Sequence, residues 1–213
     1  MNSLSLKLIH PSTTMISGPT GSGKTQFVMK LIKQNMIYPT PEKIQILYGE
    51  WQSAYDELLM LRPDIDFIKG FPPNLYDSLD PSVRNLVILD DQMSKVGDSK
   101  DLSRLFTEGS HHRNLSIIYI VQNLFDKGKS QRTVSLNTQY LVLFKNPRDK
   151  SQIEVLARQM FPKNTKFLVS SFVDATVKPF GYLLIDLRPE TEENFRVRSS
   201  IFPGDDTVVY TPE

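Results

Sequence analysis

Apolar residues along this chain fall into short unbroken runs and longer stretches of helical spacing, and the two alternate. Short apolar runs bounded by turn residues describe strands buried on both faces. They predict strands over 12–17, 43–50 and 66–68, a buried strand within the stretch 85–93, and further strands over 115–123 and 140–145. Between them Phe27, Val28, Leu31, Ile32 and Met36 recur at helical spacing. That spacing predicts a helix over 25–37, stopped by Pro39 and Pro41. Further helices are expected over 54–61, 100–108, 151–160 and 165–175, with a brief one inside 72–79 and a helical turn over 134–139. The start, 4–9, reads as an added strand or an arm. Strand and helix in alternation imply a mainly parallel sheet covered on both faces. Near the end, 181–187 and 195–201 read as an antiparallel edge, joined by the charged turn RPETEEN. The pattern implies one domain over 1–203, followed by an acidic stretch, 204–213, expected to be a flexible tail or a docking peptide.

Composition narrows this picture. A chain of 213 residues is long enough for one well-packed core and short for two. Lys+Arg 25 against Asp+Glu 24 leaves no global basic field, so any contact with DNA must be local or assembled by several subunits. There are no cysteines, which excludes disulfides and the usual zinc clusters and makes a reducing compartment the expectation. The longest apolar runs, such as 116–121, are strand-sized, and the first residues lack an apolar core of signal-peptide length. The chain is therefore expected to be neither secreted nor membrane-spanning.

The chemistry concentrates in GPTGSGKT, where Gly18, Pro19, Thr20, Gly21, Ser22, Gly23, Lys24 and Thr25 fit G-x-x-x-x-G-K-[ST] at every fixed position. Glycines at 18, 21 and 23 let the backbone approach an anion so that successive N–H groups point at phosphate oxygens from the mouth of a helix. Lys24 is then placed for the β- and γ-phosphates, and the Thr25 hydroxyl for the Mg²⁺ that bridges them. In NLVILDDQM four apolar residues run into two carboxylates. Asp90 is the expected metal residue and Asp91 the group that orients or deprotonates the attacking water. The strand over 115–123 ends in Gln122, an amide able to reach a γ-phosphate or hold the lytic water. His111 and His112 are neighbours whose side chains diverge, with no third ligand at suitable spacing, so they carry no metal site. The stretch 126–133 reads as a polar loop whose Lys127, Lys129 and Arg132 are either a solvated surface or a contact for a nucleic-acid backbone.

Taken in order, GPTGSGKT, LVILDD, HHRNLSIIYIVQNLF and NTQYLVLFKNPRDK resemble the FtsK/HerA superfamily of P-loop ATPases. Within it they resemble the viral genome-packaging branch of poxviruses, other large DNA viruses and Polinton-type elements. The resemblance spans roughly 13–162. It implies a P-loop NTPase fold of RecA-like (ASCE) type, an α/β three-layer sandwich, with ATP and Mg²⁺ as cofactors. It also implies a homo-oligomeric ring, pentameric or hexameric, that drives double-stranded DNA into a capsid, with a capsid or portal-vertex protein as partner and no membrane. The expected location is the virion or the host interior. By position, Lys24 and Thr25 bind phosphate and Mg²⁺, Asp90 is the metal residue, Asp91 activates water and Gln122 senses the γ-phosphate. Arg113, just before the glutamine-bearing strand, matches an arginine that acts across the subunit boundary as a finger. Cellular relatives carry Glu where this chain has Asp91, one methylene longer. Two other readings start from a phosphate loop: a small nucleotide kinase, which needs an acceptor site and an Arg-rich lid, and a nucleotide-gated scaffold without turnover.

Overall fold

The computed structural model describes residues 6–90, 100–125 and 129–212. Its strands are β1 (Leu8–Ile9), β2 (Thr13–Ser17), β3 (Ile37–Tyr38), β4 (Lys43–Tyr48), β5 (Asp66–Lys69) and β6 (Asn85–Leu89), followed by β7 (Leu115–Val121), β8 (Tyr140–Phe144), β9 (Tyr182–Asp186), β10 (Val197–Ser199) and β11 (Val208–Tyr210). The helices are α1 (Lys24–Lys33), α2 (Ser53–Leu61), α3 (Leu75–Ser78) and α4 (Lys100–Thr107), then α5 (Gly109–His112), α6 (Lys129–Leu136), α7 (Ser151–Met160) and α8 (Thr165–Ala175). A nine-stranded sheet runs in the order β11-β10-β9-β8-β2-β7-β6-β4-β5. The strands from β8 to β5 are parallel to one another, and β9, β10 and β11 add antiparallel at one edge. The small parallel pair β1–β3 stands apart.

The unbroken apolar runs follow from this burial. Successive side chains of a strand point to opposite faces, and both faces here are covered. Ile16, Leu86, Ile88, Ile118 and Ile120 pack with Phe27, Leu31 and Leu58 of α1 and α2. Met15, Val87, Leu89, Ile117 and Tyr119 pack with Leu105, Val134, Leu156 and Leu168 of α4, α6, α7 and α8. The result is three layers, with the sheet in the middle.

Three expectations give way. The first long helix ends at Lys33 rather than at 37. Asn35 takes a left-handed φ of 50°, and Met36 N–H returns to Leu31 O at 2.9 Å, a C-terminal cap that an asparagine can form as well as a glycine. Ile37 is thereby released to pair with Leu8. The polar stretch expected to be a loop contains the start of α6. It is helical because buried Val134 docks in the layer that holds α4. The acidic stretch 204–213 is not a free tail over its described part, since Val208–Tyr210 closes the sheet edge opposite Val197–Ser199. Tyr210 Oη donates to Asp174 Oδ2 at 2.7 Å and Thr207 Oγ1 to Ser200 O at 2.8 Å, tying it down.

Candidate active site

In an open parallel sheet the crevice outside the carboxyl ends of the strands collects ligands where the chain order reverses. Here β2 lies between β7 and β8, and the chain leaves β2 directly into Gly18–Thr25. Gly18 N–H donates to Val121 O at 3.2 Å, so the loop starts level with the end of β7. A Cβ on Gly18 would lie 2.7 Å from both Phe144 Cβ and Ser22 Oγ, which leaves room for no side chain. Gly23 caps α1 at φ 105° and ψ 6°, a left-handed conformation that other residues adopt at a cost. Helix α1 opens with no acidic residue in its first turn and carries Lys30 and Lys33 in its last, so its N-terminal field favours an anion.

Lys24 is buried, and its Nζ donates to Gly18 O at 2.5 Å and Pro19 O at 3.0 Å, folding the ammonium back along the loop. The Ser22 hydroxyl is buried and has no hydrogen-bond partner among the described residues. Backbone that no side chain can enter, together with this unanswered hydroxyl, fits a phosphate chain.

Asp90 follows β6 and is 3% exposed. Its N–H donates to Leu47 O at 2.9 Å, and its Oδ2 accepts from Gln52 Nε2 at 2.6 Å and from the Tyr55 hydroxyl. Burial first, and the neighbouring Asp90 charge second, push the Tyr55 phenol well above its ordinary value. Tyr55 therefore remains a donor at neutral pH. Gln52 and Tyr55 come from the turn into α2, because β4 is the strand hydrogen-bonded beside β6.

Gln122 follows β7, which lies between the strand of the loop and the strand of Asp90. Thr20 to Gln26, Gln52, Asp90, Gln122 and Phe180 line one cleft of about 270 Å³. The donor set suits Mg²⁺, which is commonly held by one or two carboxylates and a hydroxyl together with substrate phosphates rather than by a protein cage. No cluster of three metal-ligating His, Cys, Asp or Glu occurs among the described residues.

The remaining predicted residues are placed differently. Asp91 and Lys127 lie outside the described residues. Lys129 opens α6, and Arg132 is exposed on it. Arg113 precedes β7 at the opposite end of the sheet, more than ~20 Å of strand away from Gln122 at ~3.3 Å per residue. It pairs with Asp77 at 3.4 Å and stacks over Tyr76 at 4.8 Å, so it cannot serve the cleft of its own chain.

Sequence reasoning missed Gln52, Tyr55 and Phe180. For Gln52 the available signal was a polar residue just past the carboxyl end of a parallel strand, but its contact with Asp90 depends on the strand order. Phe180 carried no signal, because it reaches the cleft from a turn far along the chain.

No protein-family model matches the chain, and no curated protein matches it. Among solved structures it is similar to the genome packaging NTPase B204 of Sulfolobus turreted icosahedral virus 2. In complex with ATP-gammaS that structure gives a TM-score of 0.55 at 11% identity over 100% of both chains. In complex with sulfate it gives 0.58 at 12% identity over 95% of this chain and 97% of that one. ATPases 2 and 3 of EssC from Geobacillus thermodenitrificans give 0.52 at 14% identity over 94% of this chain and 40% of theirs. The chain has the P-loop NTPase fold of RecA-like type that these proteins share. None of its described helices is long and apolar enough to cross a membrane.

Proposed function

We propose that this protein is an ATP-hydrolysing motor that translocates double-stranded DNA and packages a viral or virus-like genome into a capsid. The observation that carries the reading is the meeting of the glycine-built loop, Asp90 and Gln122 in one cleft, on the fold of a genome packaging NTPase. Lys24 leaves the carbonyls of Gly18 and Pro19 for the β- and γ-phosphate oxygens, while the loop N–H groups cradle the phosphate chain. Thr25 and Asp90 hold Mg²⁺, and Gln52 and Tyr55 keep the Asp90 carboxylate oriented. Bound Mg²⁺ supplies positive charge that offsets the charge on the transferring phosphoryl group. Asp91 orients or deprotonates the attacking water, and the Gln122 amide holds that water or the γ-phosphate. Arg113 of a neighbouring subunit completes the site, exchanging its contact with Asp77 for the γ-phosphate.

Assembly into a pentameric or hexameric ring reconciles a nearly neutral chain with a polyanionic substrate. Lys127, Lys129 and Arg132 of each subunit would be repeated around the duplex. A capsid or portal-vertex protein is the proposed docking partner, in the virion or inside the host.

The test is ATP hydrolysis with and without double-stranded DNA, beside solution mass with a nonhydrolysable ATP analogue. A DNA-stimulated ATPase that assembles into a ring is expected, and Lys24→Ala should be inactive yet folded. Hydrolysis indifferent to DNA in a monomer would overturn the motor reading. Mixing Arg113→Ala with Lys24→Ala subunits should recover partial activity, because some interfaces then carry both intact halves; no recovery at any ratio would remove Arg113 from the site.

A further inference from the structure

A second cavity of about 490 Å³ adjoins the phosphate cleft, within the ~300–1,000 Å³ range usual for small-molecule sites. The two share Gly23, Gln26 and Phe180. Phe180 stands in a tight turn in which Gly181 N–H donates to Lys178 O at 3.0 Å, with Pro179 second and Phe180 third. Its φ is 61°, and a positive φ at the third position is what a type II turn requires and what glycine or asparagine normally supplies. Gly181 fixes the path of the turn, since a Cβ there would lie 2.4 Å from Ala175 O.

Folding gains little from this phenylalanine. The side chain is 69% exposed, so an aromatic ring is held in an unfavourable backbone conformation with most of its surface in water. It lies close to the phosphate loop: a Cβ on Gly23 would lie 3.1 Å from Phe180 Cδ1. The ring thus lies beside the N-cap of α1, on the boundary between the cleft and the second cavity. Strained residues of this kind concentrate at ligand clamps, and an exposed aromatic face is a stacking platform for any nucleobase.

We infer that the cavity beside the loop is the nucleoside site, with the base stacked on Phe180 as the ribose leads out past Gly23 and Gln26. This rests on the reading of the cleft as a nucleoside-triphosphate site. Lys30 is engaged on the cavity wall, 3.5 Å from Asp205 and 4.3 Å from the ring centre of Phe202, and keeps that wall in place.

The test is calorimetric titration of the whole chain, in Mg²⁺, with AMP-PNP and with inorganic tripolyphosphate. The wild type should bind AMP-PNP more tightly than tripolyphosphate. Phe180→Ala should weaken AMP-PNP about tenfold, the size expected for loss of one base stack, and leave tripolyphosphate within about twofold, whereas Phe180→Trp should retain AMP-PNP binding. Thermal unfolding of each variant separates loss of stacking from loss of fold. If Phe180→Ala leaves AMP-PNP affinity unchanged, or weakens both probes equally, the nucleoside site is overturned while the phosphate site stands. A wild type that binds neither probe would overturn the phosphate site itself.

Discussion

Tyr55→Phe removes one hydroxyl and nothing else, which makes it the sharpest probe of how Asp90 is held. Tyr55 is 2% exposed and Asp90 3%, so neither group can exchange its partner for water without local opening. Tyr55 and Gln52 both donate to the same oxygen, Oδ2. A hydrogen bond to a charged group contributes about 1.5–3 kcal/mol. For a domain of this length that corresponds to a fall of roughly 3–12 °C in Tm, at ~2–4 °C per kcal/mol. The ring keeps its contacts with Trp51 and Phe67, so packing should not add to the loss. The assay is urea unfolding without nucleotide, repeated in an Asp90→Ala background. There Tyr55 has no carboxylate to serve, and Tyr55→Phe should be nearly neutral or stabilising. Equal costs in the two backgrounds, within ~0.5 kcal/mol, would show that the bond does not hold Asp90 and would refute the reasoning.

Two further expectations concern the loop and the far end of the sheet. Gly18→Ala should destabilise by about 1–3 kcal/mol in urea, because the new methyl meets Phe144 Cβ, an atom fixed to the backbone of β8; an unchanged midpoint would mean that the loop and β8 are not so close. His10 is buried, with Nε2–H donating to Asn114 Oδ1 at 3.0 Å and Nδ1 accepting from Ser116 Oγ at 2.6 Å. Burial is the main cause lowering its pKa; the Asn114 bond opposes it, and the more distant Arg84 and Glu42 act in opposite directions. The folded state therefore prefers neutral His10, so its contribution is intact above the ordinary histidine pKa near ~6.5 and is lost as pH falls below it. His10→Gln should flatten the stability–pH curve in that window, and an unaltered slope would assign the loss to other groups.

The contrast between Lys24 and Tyr55 shows what could be read along the chain. The phosphate loop is contiguous, and its demands are local: glycines where backbone approaches an anion, a lysine and a threonine at the start of a helix. The run into Asp90 was equally legible, because a strand buried on both faces must be apolar until it reaches the ligand edge. Helix ends were less so, since Asn35 closes α1 through a backbone conformation that asparagine only sometimes adopts. The last strand escaped because three residues, Val208–Tyr210, gain their stability from β10 and Asp174 rather than from any pattern of their own.

By itself, then, the sequence determined the alternation of strand and helix, a parallel sheet covered on both faces, and the reading of Gly18 to Thr25 as a phosphate loop. Each of these depends on residues near one another in the chain. Only the tertiary structure decided that β4 runs beside β6, so that Gln52 and Tyr55 grip Asp90. The same structure brings Phe180 back across more than 150 residues to rest on Gly23 and puts Arg113 at the wrong end of the sheet for its own cleft. Strand order and turn placement are set by how whole layers pack, and side chains distant in sequence meet only when that packing is complete.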